Sequence, residues 1–321
     1  MEYKKMEKST NKTTMLICGC LAVIFLLGSY IAALAQFGNT IEYKSDETSV
    51  IEESSEEESS EVSIESVAES EYKYFDKLQF ERRPFSNGSA ADGSLAVVNE
   101  TNKTFPVIDQ SEIVNIGLVK TESVYGLSNM SLVMYEEAIT NIDKFIVDFY
   151  QQVPRNGLII SKGYTSADAV NKSEATVDLV TGYSVQFSIY NSSYKFSDPE
   201  FAYLREQAYR YGVIQRYPSG KESYTGRDSD NTVYRYVGLA HSMYMNHYML
   251  SLEEYIDRIR TYKVIEYESE LENDVAYVTY YVPVDETTGT TYVDVPVGDN
   301  CSFTVSGDGA KGFVVTVRIE H

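Results

Sequence analysis

Apolar positions recur along this chain with two different periods. After Asp198-Pro199, an N-cap acceptor followed by a proline at the first helical position, Phe201, Leu204, Ala208 and Tyr211 fall at helical spacing, and Gly212 closes the run. Val213 to Tyr217 then reads as a strand, Pro218-Ser219-Gly220-Lys221 as a turn, and Tyr234 to Val237 as the strand that returns. Upstream, Ser94 to Asn99 reads as a short strand. Ala138, Ile142, Phe145, Ile146 and Phe149 form a helical stripe ending before Pro154, and Leu158 to Ile160 is a short buried strand. Ser251 and Glu254 make a capping box that opens a helix through Arg260, with Leu252, Tyr255, Ile256 and Ile259 on its buried side. From Val275 the period changes to strict alternation: Val275 to Val282, Thr291 to Val295 and Gly312 to Ile319 predict strands separated by Gly- and Asp-bearing turns. The pattern predicts an α+β protein that ends in an antiparallel β subdomain.

The first residues follow neither period. Met15 to Ala35 runs 21 residues without a charge, behind Lys4, Lys5, Lys8 and Lys12. That length suffices to cross a bilayer core of about 30 Å, and lysines before it with acids after it place the N-terminus in the cytoplasm and the rest outside. We therefore expect a cytoplasmic segment 1–13 and a transmembrane anchor 14–36. A cleaved signal peptide ending at Ala33-Leu34-Ala35 is the alternative.

Residues 40–71 hold twelve acids against Lys44, too polar to bury a core and self-repelling, so 37–72 is expected to be a disordered Glu/Ser-rich linker. Calcium or a cationic partner is the functional alternative to a plain spacer. The remainder, 72–321, carries 34 acids and 22 bases, a balance that argues against nucleic acid. Cys18 and Cys20 lie in the apolar run and Cys301 is alone beyond it, so neither an intradomain disulfide nor a Cys-x-x-Cys metal knuckle is available. Tyrosine is abundant, at 28 residues with no tryptophan; most rings belong to core and sheet faces, and a minority lining a groove could stack on sugars or peptides.

The block DPEFAYLREQAYRYGVIQRYPSGKESYTG, followed by YRYVG, resembles the second half of the VanY-type D-alanyl-D-alanine carboxypeptidases, zinc enzymes that trim bacterial cell-wall peptides. That resemblance implies a central antiparallel sheet with helices packed on it over 73–262, with the β subdomain at 263–321. The family typically reads Glu-Pro-Trp-His-Phe-Arg-Tyr-Val-Gly where this chain has Asp230, Asn231, Thr232, Val233, Tyr234, Arg235, Tyr236, Val237 and Gly238. Asp230 thus takes the place of the catalytic base and Val233 that of a zinc-binding His. The family's Ser-x-His-x-x-Gly-x-Ala-x-Asp, anchored on Gly182, places Leu179 and Gln186 at the other two metal ligands. Its Ser-Gly-Tyr-Arg-Ser becomes Lys162-Gly163-Tyr164-Thr165-Ser166, with a hydroxyl where a substrate-holding guanidinium is expected.

Zinc needs three imidazole, thiolate or carboxylate donors, and this chain has only His241, His247 and His321, none in a zinc motif. No zinc or other cofactor is expected. The ligand-binding candidates are Tyr164, Thr165, Gly182 and Arg235; Asp230 is a base without an activated water, and an Arg235–Asp230 ion pair at a strand end would explain both residues by folding alone. Three functions follow: a zinc-less cell-wall protein that binds stem peptide or an envelope protein without cutting; a hydrolase with a non-standard site; and a surface interaction domain that uses the scaffold only.

Overall fold

The computed structural model describes residues 72–99, 101–121, 123–154, 156–170, 176–190 and 194–321. The expected anchor 14–36 and the expected linker, apart from Tyr72, lie outside the described residues. Among those described, no helix is long and apolar enough to cross a membrane.

Thirteen strands are described: β1 Gln79–Ser86, β2 Ile113–Asn115, β3 Gly126–Leu127, β4 Val133–Tyr135, β5 Leu158–Lys162, β6 Ser184–Ile189, β7 Val213–Tyr217, β8 Asp230–Tyr236, β9 Val264–Glu268, β10 Val275–Pro283, β11 Thr290–Val297, β12 Cys301–Gly307 and β13 Gly312–Glu320. The helices that matter below are α1 Glu136–Gln152, α2 Ala202–Gln207, α3 Leu239–His247 and α4 Leu252–Tyr262. The central sheet runs β3-β5-β6-β8-β7. It is antiparallel except at one edge, where β3 pairs parallel with β5, a correction to the wholly antiparallel sheet expected.

One face of this sheet is closed by α1, whose Ile142, Phe145, Ile146 and Phe149 pack on Val185, Phe187, Tyr234 and Tyr236. The other side is closed by α4. Its capping box is formed in both directions, Ser251 Oγ accepting from Glu254 N and Glu254 accepting from Ser251 N, which fixes where the helix starts. Leu252, Tyr255, Ile256 and Ile259 then lie between Ile214 and Val237 of the central region and Ile265 and Val314 of the C-terminal strands. Each such buried side chain contributes about 1.5–3 kcal/mol, so α4 joins the two sheets through a shared core.

The C-terminal strands form a second sheet, β12-β13-β10-β9, antiparallel throughout. Beside it, β1 pairs with β11 from Gln79↔Val297 to Ser86↔Thr290. The boundary expected at 262/263 is therefore crossed: the first described strand belongs with the last ones, and Tyr74 and Ala90 sit in the same core as Val293, Phe313 and Val317. Ser94 to Asn99 is not a strand. Its Ala96 N donates to Gly93 O and its Val97 N to Asp308 O, an irregular path that still buries Leu95 to Val98 completely or nearly so. The 199–211 run is also less regular than its period, with α2 flanked by 3-10 turns; Asp198 accepts from Lys195 N rather than capping the helix.

Candidate active-site region

Gln186 is the centre of the region to which the resemblance points. It faces Lys162 on β5 and Val233 on β8 as ladder partners, so three neighbouring strands present these residues in one row. Gln186 Nε2 donates to Thr232 Oγ1 at 3.3 Å, and Thr232 Oγ1 donates to Asp230 Oδ1 at 2.6 Å. Asp230 also accepts from Thr232 N, a local Asx turn at the start of β8. Two buried oxygens here find no hydrogen-bond partner among the described residues, Gln186 Oε1 and the hydroxyl of Tyr217, the residue paired with Asp230 on β7.

Leu179 ends no strand; it lies in the 3-10 turn Val177–Thr181, wholly buried, and its carbonyl accepts from Thr165 N at 3.2 Å. Gly182 closes that turn at φ +75°, where a Cβ would stand 2.9 Å from the Tyr135 ring, so conformation and space both require glycine. Tyr164 is held through its N–H to Val133 O at 2.8 Å. The structure thus gathers Gln186, Val233 and Asp230 on two adjacent strands and sets Thr165 against Leu179. Asp178, next to Leu179, bonds side chains on both of those strands.

Asp178 is the residue around which this region is built. It is fully buried, takes Arg216 Nε at 2.8 Å and Arg235 Nη1 at 3.1 Å on one oxygen, and accepts from Ser184 Oγ on the other. Arg216 occupies the bulge between the Gln215 and Tyr217 pairings of β7, and its other two nitrogens grip Glu253 at 2.6 and 3.0 Å. Arg235 donates to the carbonyls of Gly93, Ser94 and Ala96 at 2.8–3.2 Å. Burial by itself would raise the Asp178 pKa, but the Arg235 and Arg216 guanidinium groups and the Ser184 hydroxyl outweigh it and hold the carboxyl below its ordinary value.

This corrects the expected Arg235–Asp230 pair. Arg235 is fully buried and its donors are engaged by Asp178 and backbone, which removes it from the ligand-binding candidates. Arg216 and Glu253 had drawn no attention from the sequence. The available signal was an arginine inside a strand whose neighbours are buried, because such a charge demands a partner.

The family's zinc does not fit these side chains. Leu179 and Val233 are aliphatic and Gln186 offers an amide already bonded to Thr232. Among the described residues, no group of three His, Cys, Asp or Glu side chains is placed to hold a metal ion. His247 is exposed beside Glu270 at 2.8 Å. His241 is buried between the Tyr255 hydroxyl, 2.7 Å from Nδ1, and Thr316 Oγ1, 3.0 Å from Nε2.

Burial lowers the His241 imidazole from 6.5 to about 3. The unfolded chain therefore takes up a proton at this residue before the folded one does. Its contribution to stability is complete above pH 6.5 and is lost as pH falls from there toward 3, by up to about 1.4 kcal/mol per pH unit. We expect urea titrations between pH 7 and 4 to show this loss in the wild type and a shallower one in His241→Gln; equal slopes would refute the assignment.

No family model matches the sequence. A D-alanyl-D-alanine carboxypeptidase of Enterococcus faecium is 30% identical over 238 residues, covering 70% of this chain and 75% of the relative. A second, from Enterococcus faecalis strain ATCC 700802 / V583, is 33% identical over 103 residues, 30% of this chain and 38% of that one. In fold, the chain is similar to the vancomycin-resistance D,D-dipeptidase VanXYg, solved with a D-Ala-D-Ala phosphinate analogue, at a TM-score of 0.60 and 21% identity over 75% of this chain and 99% of that one. With a carboxypeptidase relative at this identity and coverage, the chain belongs to the VanY-type D-alanyl-D-alanine carboxypeptidase family.

Proposed function

We propose that this protein is a membrane-tethered, extracellular member of the family that holds cell-wall stem peptide without hydrolysing it. One observation supports the reading: Gln186 and Val233, which the resemblance aligns with two of the family's zinc ligands as it aligns Leu179 with the third, are direct ladder partners and offer no imidazole, thiolate or carboxylate. Without an activated water, Asp230 has nothing to deprotonate, and its oxygen is already engaged by Thr232. The buried histidine and the described cysteine form no nucleophile–base pair: His241 hydrogen-bonds the hydroxyls of Tyr255 and Thr316, and Cys301 Sγ donates to a carbonyl.

Support for peptide binding comes from the family and from the ligand of the solved relative, a D-Ala-D-Ala analogue. The turn closed by Gly182 and the strands on either side of Gln186, which such a groove would use, are formed. The lysine-flanked apolar run and the acidic linker supply the tether.

The test uses the purified fragment 72–321. We expect no stoichiometric zinc by metal analysis, no D-Ala release from a pentapeptide ending in D-Ala-D-Ala, and co-sedimentation with purified sacculi. One zinc per chain, or chelator-sensitive turnover, would overturn the non-hydrolytic reading. A fragment that remains wholly in the supernatant would overturn cell-wall binding.

A further inference from the structure

Thr165 stands where the resemblance sets a substrate-holding guanidinium, and its hydroxyl is turned inward, donating to Gly163 O at 3.2 Å. The two arginines of β7 and β8 do not replace it. Arg216 and Arg235 are wholly buried, and Asp178, Glu253 and backbone carbonyls engage every one of their side-chain nitrogens. Negative charge on a ligand here would have to find another cation.

Arg227 is that cation. It follows the short helix Glu222–Thr225 and Gly226, and its backbone is fixed by the buried Thr225 hydroxyl, which accepts from Arg227 N at 3.4 Å and donates to Arg227 O at 3.1 Å. The Arg227 guanidinium lies over the Tyr217 ring, 5.3 Å from its centroid, and the residue is half-buried. No acceptor among the described residues takes any of its side-chain N–H groups: Asp230 is turned to Thr232, and Asp228 forms no ion pair. A guanidinium stacked on a ring keeps its planar edge open for two parallel hydrogen bonds, the geometry that a carboxylate accepts.

The stack also ties Arg227 to the rest of the region. Tyr217 is the ladder partner of Asp230, and Asp230, Thr232 and Gln186 are joined by hydrogen bonds. The two buried oxygens without partners among the described residues lie at the ends of this path: the hydroxyl of the ring that carries Arg227, and Gln186 Oε1. Gln186 Oε1 calls for an N–H, and the guanidinium calls for a carboxylate. A peptide with a free C-terminus carries both. Beyond Gln186, its ladder partner Lys162 is half-buried and likewise has no acid within ion-pair distance among the described residues. An ammonium there adds attraction without the planar fork.

We propose that Arg227 is the carboxylate-binding residue of the peptide region and makes it specific for peptides with a free C-terminus, with Lys162 as a secondary attraction. The inference rests on the stem-peptide reading and names the group that recognises the peptide's end.

The experiment titrates the full chain in detergent, by calorimetry, with a pentapeptide ending in D-Ala-D-Ala and with the same peptide carrying a C-terminal amide. We expect the carboxylate form to bind at least tenfold more tightly, the scale of hydrogen bonds to a charged group. Arg227→Gln should remove that preference and leave the affinity for the amide form unchanged, and Arg227→Lys should restore part of it. Lys162→Gln should reduce the preference less than Arg227→Gln does. Melting curves report folding, and if Arg227→Gln fails to fold, Arg227→Lys decides, since its preference should fall below that of the wild type. Binding of neither peptide would overturn the stem-peptide reading and this inference with it. Equal binding of the two forms by the wild type, or a preference that persists in folded Arg227→Gln, would overturn this inference alone.

Discussion

Replacing Asp178 by alanine is expected to destabilise the protein by about 3–5 kcal/mol, the cost of removing one partner from a buried ion pair. The size follows from what remains. Arg216 and Arg235 are both fully buried, and Asp178 Oδ1 is the atom they share. Arg216 would keep Glu253 and Arg235 would keep its carbonyls, but two positive charges would face each other without the anion between them. Asp178→Asn retains an acceptor and should cost less. Because the folded-state pKa of Asp178 lies below its ordinary 3.8, its contribution is complete above that value and is lost only as pH falls through the lower folded value. Urea unfolding at pH 7 and in strong acid should therefore give a large gap between wild type and Asp178→Ala at the first pH and a small one at the second. A gap under 1 kcal/mol at pH 7 would mean that the network contributes little.

Zinc should bind to the triple variant Leu179→His, Gln186→Asp, Val233→His and not to the wild type. Val233 and Gln186 are direct partners in an antiparallel ladder, with Cα atoms about 4.5–5.5 Å apart, a spacing at which a carboxylate and an imidazole can reach one ion at about 2.0–2.2 Å. Leu179 and Val233 are wholly buried, so imidazoles placed there without metal are desolvated polar groups, and the variant should be less stable than wild type in chelator. Added zinc should reverse the order of stability, by about 4 kcal/mol at a free concentration a thousandfold above Kd. Metal analysis after gel filtration should find one zinc per chain. A folded variant that retains no more metal than wild type would show that the three positions do not share a centre.

Legibility from the sequence followed local physics. The stripe on α1, the capping box of α4 and the alternation of β10, β11 and β13 were all readable, because period and end signals are short-range properties. That Gln186 and Val233 belong to one site was implied only through the resemblance, and their ladder pairing was not legible at all. What stayed hidden depends on long-range partners. Arg235 looked available to Asp230, five residues away, but its carboxylate partner is Asp178, 57 residues away. Ser94 to Asn99 has a strand's composition but takes its hydrogen bonds from Asn102 and Asp308 rather than from a ladder. The strand β1 shows no clean alternation, being exposed at seven of eight positions, and is fixed by its pairing with β11 instead.

That pairing also sets the order in which the molecule can mature. The first described strand waits for a partner some two hundred residues downstream, and the carbonyls that hold Arg235 sit just after it. A nascent chain can close its central sheet once β8 has emerged, yet β1 has nothing to zip onto until the closing strands are made. Completion is thus a late, non-local event with a high loop-closure cost, and a chain cut short near its C-terminus would lose the anchorage of its beginning as well as its end.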